Sequence, residues 1–107
     1  MSTWKVICSI NEIPMLGARR VSRSHGPEVA VFRTAEAKVF ALLDRCPHKG
    51  GPLSQGIVSG DKVTCPLHGM NICFKDGHAI APDEGCVPTY PTKVEAGAVY
   101  LDIEVNR

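Results

Sequence analysis

The chain has 107 residues, 44% of them hydrophobic, which is the size of one domain with enough apolar side chains for a compact core. Its 12 basic and 11 acidic side chains nearly cancel, so no charge field draws it to nucleic acid or to a membrane surface. No run approaches the roughly 18 apolar residues of a membrane span, and five cysteines, an odd number, exclude a complete disulfide framework.

The opening MSTWKVICSINEIP lacks the basic start and long apolar run of an export signal, so the expected setting is the cytoplasm with reduced thiols. Trp4 to Cys8 reads as a first strand, and Asn11 to Pro14 is a weak helix candidate. Ala18 to Ser24 is polar and suits an edge strand, with His25-Gly26-Pro27-Glu28 as a turn. Val29 to Arg33 and Val39 to Leu43 are stronger strands, joined by Ala35 to Lys38 in a meander. Beyond Leu43 the chain enters loops rich in glycine and proline. Lys62-Val63-Thr64 is a short strand leading directly into Cys65. Ile72-Cys73-Phe74 and His78-Ala79-Ile80 flank a hairpin-type turn at Lys75-Asp76-Gly77, and a second loop covers Ala81 to Gly85. The last hairpin runs from Pro91 to Glu95, turns at Ala96-Gly97, and returns with Val99, Leu101 and Ile103 alternating against Tyr100 and Asp102. These elements predict a single all-β domain over residues 1–107. It is an antiparallel sandwich or barrel-like base with an inserted loop subdomain at about residues 44–80.

That insertion repeats one phrase, as Cys46-Pro47-His48 and Cys65-Pro66-Leu67-His68, with sixteen residues between His48 and Cys65. Taken singly, a cysteine is usually a small buried hydrophobe and a histidine a solvated or satisfied residue. Two such phrases on Gly/Pro-rich loops are hard to explain by packing alone. Thiolate and imidazole are soft to borderline donors, which indicates zinc or iron–sulfur chemistry. Structural zinc fingers usually group cysteines in one phrase and histidines in another. Here the order alternates, so each loop offers one sulfur and one nitrogen. That suits two irons bridged by two sulfides, with sulfur donors on one metal and nitrogen donors on the other.

The pattern resembles the signature of the Rieske family, Cys-x-His, a gap of fifteen to seventeen residues, then Cys-x-x-His. The likeness extends to Leu53, Gly56, Val63, Gly69, Phe74 and Gly77. It implies a Rieske [2Fe–2S] cluster held by Cys46, His48, Cys65 and His68. Two ferric ions, two sulfides and two thiolates sum to zero charge, and neutral histidines leave that unchanged. Such a centre accepts an electron more readily than an all-cysteine one, at roughly −150 to +300 mV against about −400 mV for plant-type ferredoxins. Histidine ligation also implies that the potential falls once pH passes the pKa of His48 or His68 in the oxidised state. High-potential members of the family carry a disulfide-forming cysteine in each loop, where this chain has Gly51 and Leu67. They also carry a Ser and a Tyr after the second pair, where Met70 follows Gly69 here. The resemblance therefore implies a potential below zero, and a loop at Ala81-Pro82-Asp83 that covers the cluster.

Trp4 to Cys8 and the run Ala81-Pro82-Asp83-Glu84-Gly85-Cys86-Val87-Pro88-Thr89-Tyr90-Pro91 also resemble the small subunit of assimilatory NAD(P)H nitrite reductase. In that family a large subunit carries flavin, an iron–sulfur cluster and sirohaem, and reduces nitrite to ammonium. The expectation is an electron-transfer subunit that is not catalytic by itself. The alternative is a stand-alone Rieske ferredoxin delivering electrons to an oxygenase. A zinc-binding interaction module and a subunit with a vestigial cluster are further readings. Cys8, Cys73 and Cys86 read as packing residues, with a Cys73–Cys86 disulfide as the alternative. Arg19, Arg20 and Arg23 read as a solvated edge-strand face or a docking patch. Lys49 reads as an exposed lysine or a guide for an acidic partner. His25 reads as solvated, and His78 as a strand-start residue or a tuner of the cluster.

Overall fold

The computed structural model describes residues 4–22, 28–46, 51–66, 69–81 and 84–102. Among these residues ten strands form three antiparallel sheets. The first contains β1 (Lys5–Ser9), β10 (Ala98–Leu101) and β9 (Thr92–Glu95), in the order β1-β10-β9. The second is ordered β2 (Ala18–Val21), β3 (Val29–Arg33), β4 (Val39–Leu43), β8 (Thr89–Tyr90). The third lies within the predicted insertion and joins β5 (Ile57–Ser59), β6 (Lys62–Thr64) and β7 (Asn71–Cys73). The all-β architecture expected from the sequence is present, and among the described residues no α-helix occurs.

Strands β3 and β4 form a wall buried on both faces, and their side chains alternate between two cores. Val29, Val31, Val39 and Ala41 join Cys8, Ile13, Tyr90, Val99 and Leu101 in the core of the base. Ala30, Phe32 and Leu42 point the other way, into a core shared with the third sheet through Val58, Val63, Ile72 and Phe74. This two-sided burial explains why β3 reads as a continuous apolar run and not as an alternating one.

Local chemistry sets the connections. Ser9 and Glu12 form a capping box around the 3-10 turn Ile10–Glu12, where the sequence suggested a weak helix. Between Val6 and Cys8 the β1–β10 register slips by one residue, so Cys8 faces Val99 in the core while Val6, opposite Tyr100, is exposed. The β9–β10 hairpin turns on Ala96 (φ 50°) and Gly97 (φ 79°), the paired left-handed conformations that match the twist of the strands. β2 is an edge strand as predicted, and its pairing with β3 ends at Val21↔Val29. The turn expected at His25-Gly26-Pro27 and the strand end at Ile103 lie outside the described residues.

Candidate metal centre

Both cysteines of the doubled phrase leave the ends of strands and enter the core beneath the third sheet. Cys46 follows β4 by three residues; its amide donates to the Gly51 carbonyl at 2.7 Å, which closes the base of the first loop. Cys65 directly follows β6; its amide donates to Met70 O at 2.8 Å, and Gly69 N donates back to Cys65 O at 3.0 Å. Each cysteine is 1% exposed, and both sit in one apolar core with Leu53, Met70 and Val87. None of the five cysteines is in a disulfide. His48 and His68 lie outside the described residues, as do Pro47, Lys49, Leu67 and Pro82. Among the described residues no three His, Cys, Asp or Glu side chains gather in a metal-binding group. The structure thus places the two cysteines of the predicted ligand set in one buried core.

Two features brace the loops. Gly56 presses against β6: a Cβ there would sit 2.3 Å from the Thr64 carbonyl oxygen and 2.9 Å from a Val63 methyl. Thr64 is the residue before Cys65, so this contact ties the end of the first loop to the start of the second. Asp44 is the other brace. Its carboxylate accepts from Ser54 N at 2.7 Å and from Ser54 Oγ at 2.8 Å, and it pairs with Arg20 Nε at 3.0 Å. Sequence reasoning missed Asp44; its only signal is an acid placed between an apolar strand and a buried cysteine.

Behind the cysteines, Phe74 packs against Phe32 at 4.9 Å and stacks on Phe40 at 5.2 Å between ring centroids. Gly77 (φ 74°) lets the chain run close beside the segment Gly85–Val87, since a Cβ there would lie 2.2 Å from Val87 O. Hydrogen bonds from Ala79 N to Gly85 O and from Val87 N to Gly77 O carry that segment along residues 77–79, which themselves lie beside β7, and Val87 reaches the cysteine core.

The bridges Ile72↔Ala79 and His78↔Cys86 extend the third sheet sideways. Val58, Val63, Ile72 and Val87 face inward, so Lys62, Cys73, His78 and Cys86 form a lateral row on the opposite, outer face. Cys73 and Cys86 are two strand spacings apart, about 9–10 Å. A disulfide requires Cα atoms within about 7 Å, which rules out the alternative pairing. His78 is exposed on this face, turned away from the core of Cys46 and Cys65. The arginines of β2 also differ from a simple solvated face. Arg19 pairs with Glu12 at 3.5 Å, and Arg20 holds both Glu28 and Asp44, while Arg23 lies outside the described residues.

A family profile described as the Rieske [2Fe-2S] domain matches residues 3–91. The chain belongs to the Rieske [2Fe–2S] family. The 3-phenylpropionate/cinnamic acid dioxygenase ferredoxin subunit of Photorhabdus laumondii is 33% identical over 99 residues, covering 91% of each chain. The structure is similar to the ferredoxin in a complex of reduced oxygenase and oxidised ferredoxin of carbazole 1,9a-dioxygenase. The TM-score is 0.82 at 26% identity, over 95% of this chain and 94% of that one. It also resembles a protein assigned as the NADH-dependent nitrite reductase small subunit of Mycobacterium tuberculosis, with a TM-score of 0.84 over 94% and 95% of the two chains. At 24% identity that last likeness speaks to fold alone. Rieske membership implies a [2Fe–2S] cluster and an electron-transfer role. The site fits such a group: two buried thiols from two braced loops lie in one apolar core, the soft donors that a sulfur-ligated iron takes. No helix among the described residues is long and apolar enough to cross a membrane.

Proposed function

We propose that the chain is the Rieske ferredoxin of a multicomponent oxygenase, carrying single electrons to a larger oxidoreductase partner. The observation that carries this reading is the end-to-end likeness to a dioxygenase ferredoxin subunit, 33% identical with 91% of each chain covered. The likeness to the carbazole dioxygenase ferredoxin, at 26% identity, supports it. The nitrite reductase expectation rests on the Trp4–Cys8 and Ala81–Pro91 segments together with a resemblance of fold, and so stands second.

In this reading Cys46 and Cys65 supply the two thiolates and His48 and His68 the two imidazoles, within one domain spanning residues 1–107. When bound, the cluster supplies reversible one-electron chemistry. The chain's own part is to hold the donors and exclude water. Met70, at 6% exposed, and Val87, at 4%, close the core around the cysteines. The Gly51, Leu67 and Met70 positions keep the proposed potential below zero.

Two measurements test the proposal. EPR of the dithionite-reduced protein should give the lowered average g of a mixed nitrogen/sulfur centre, and a colourless zinc protein would defeat the assignment. Stopped-flow mixing of the reduced protein with an aromatic-ring oxygenase component should reoxidise it rapidly. Reoxidation only by a sirohaem-containing nitrite reductase large subunit would transfer the function to the second reading.

A further inference from the structure

Asp44 is an acid in an unusual place. Its side chain is 2% exposed, yet it lies two residues before Cys46. Among the described residues three donors meet its carboxylate: the Ser54 amide, the Ser54 hydroxyl and Arg20 Nε. Ser54 belongs to the 3-10 turn Leu53–Gln55, which lies on the far side of the first loop, so Asp44 pins both ends of that loop together. Arg20 comes from outside the loop. It sits on edge strand β2, its side chain is 51% exposed, and it divides its guanidinium between Asp44 and Glu28. Its register partner Ala30 faces the cysteine core, whereas Arg19 is paired with Val31, which faces the core of the base.

The electrostatics follow from this placement. Residues two apart have Cα atoms no more than about 7 Å from each other. A negative charge buried so near in the chain is poorly screened, because field lines run through protein and not through water. It opposes the arrival of an electron at any centre that Cys46 ligates. The guanidinium of Arg20 offsets that charge from a half-exposed position.

We propose that Asp44 is a positioning residue for the first ligand loop, and that the Arg20–Asp44 pair sets the potential of the cluster. Asp44 lowers the potential and Arg20 raises it. The inference rests on the assignment of Cys46 as a ligand.

Four variants of the holoprotein test it: Arg20→Gln, Asp44→Asn, the two combined, and Arg19→Gln. The midpoint potential is read by spectroelectrochemical titration, alongside iron content and the EPR signal. Arg20→Gln should shift the midpoint down and Asp44→Asn should shift it up. The double variant should return close to the unmodified protein. Arg19→Gln removes the same charge one residue away, from a side chain 44% exposed, and should shift the midpoint much less than Arg20→Gln. A purely structural clamp predicts lost iron without signed shifts. Equal shifts from Arg19→Gln and Arg20→Gln, or shifts of one sign in both members of the pair, overturn the proposal. If Asp44→Asn fails to retain iron, Arg20→Gln against Arg19→Gln decides the matter alone. Absence of the visible band from the unmodified protein overturns the ligand assignment and the inference with it. An intact band with unmoved potentials overturns the inference only.

Discussion

The two cores on either side of the β3–β4 wall are built on different terms. The base core is mostly branched aliphatic, from Ile13 and Val29 to Val99 and Leu101, with Cys8, Ala41 and Tyr90 among them, and apart from the two-residue β8 its strands are paired over four or five residues. The other core holds two thiols, and its third sheet has strands of three residues each. Short strands and loops bury little apolar area per ordered residue. This side is therefore fastened by particular contacts: the approach of Gly56 to Thr64, the Asp44–Ser54–Arg20 network, and the thiols themselves. The base is stabilised by pattern and the cysteine-bearing side by detail, so the two should fail in different ways.

The sharpest way to separate them is to remove a thiol. Cys46→Ser or Cys65→Ser should abolish the visible absorbance, while amide exchange in β3, β4 and β10 stays slow and that in β5–β7 quickens. Uniform loss of protection would mean that the two cores unfold as one. Ile13→Ala strikes the other side. Ile13 is fully buried, and truncation should cost about 2–5 kcal/mol in denaturant unfolding. The folded fraction should keep an unchanged cluster spectrum. Gly56→Ala is smaller and reversed in location. Its Cβ meets the Thr64 carbonyl backbone, and overpacking of this kind costs about 1–3 kcal/mol. Iron content should fall more than the stability of the base. An unaltered iron content would break the link between Gly56 and the second loop.

The same division governs what the sequence reveals. Val29–Arg33, Val39–Leu43 and Lys62–Thr64 are legible to the residue, because apolar β-branched runs bounded by turn residues have few other uses. The doubled Cys/His phrase is legible because spacing alone carries it. Strand β5 escapes, since Ile57-Val58-Ser59 sits between Gly56 and Gly60 and reads as loop. β8 is two residues long and exists only by pairing with Ala41 and Leu42. Asp44 escapes for a deeper reason. Its partners Arg20 and Ser54 lie 24 and 10 residues away, and only the folded sheet brings them together. Arg20 consequently reads as solvated, when half of it is committed to a buried acid.

The smallest test concerns a thiol on the base side. Burial is the main cause that pushes the Cys8 thiol above its ordinary value of 9.0; Arg19 pulls it back and Glu12 adds to the rise. In the unfolded chain this thiol ionises near pH 9, whereas in the folded chain it holds its proton further into alkali. Between those two values the native state binds more protons than the unfolded state, so stability declines as pH rises. Below pH 9 the group contributes no slope. Denaturant unfolding from pH 8 to pH 10.5 should therefore show a small alkaline loss that Cys8→Ala removes. The loss should persist in Cys86→Ala, because Cys86 is exposed and meets solvent in both states. An alkaline slope that vanishes instead with Cys86→Ala would place the sensitive thiol on the outer face of the third sheet, and would make the base the less perturbed of the two regions.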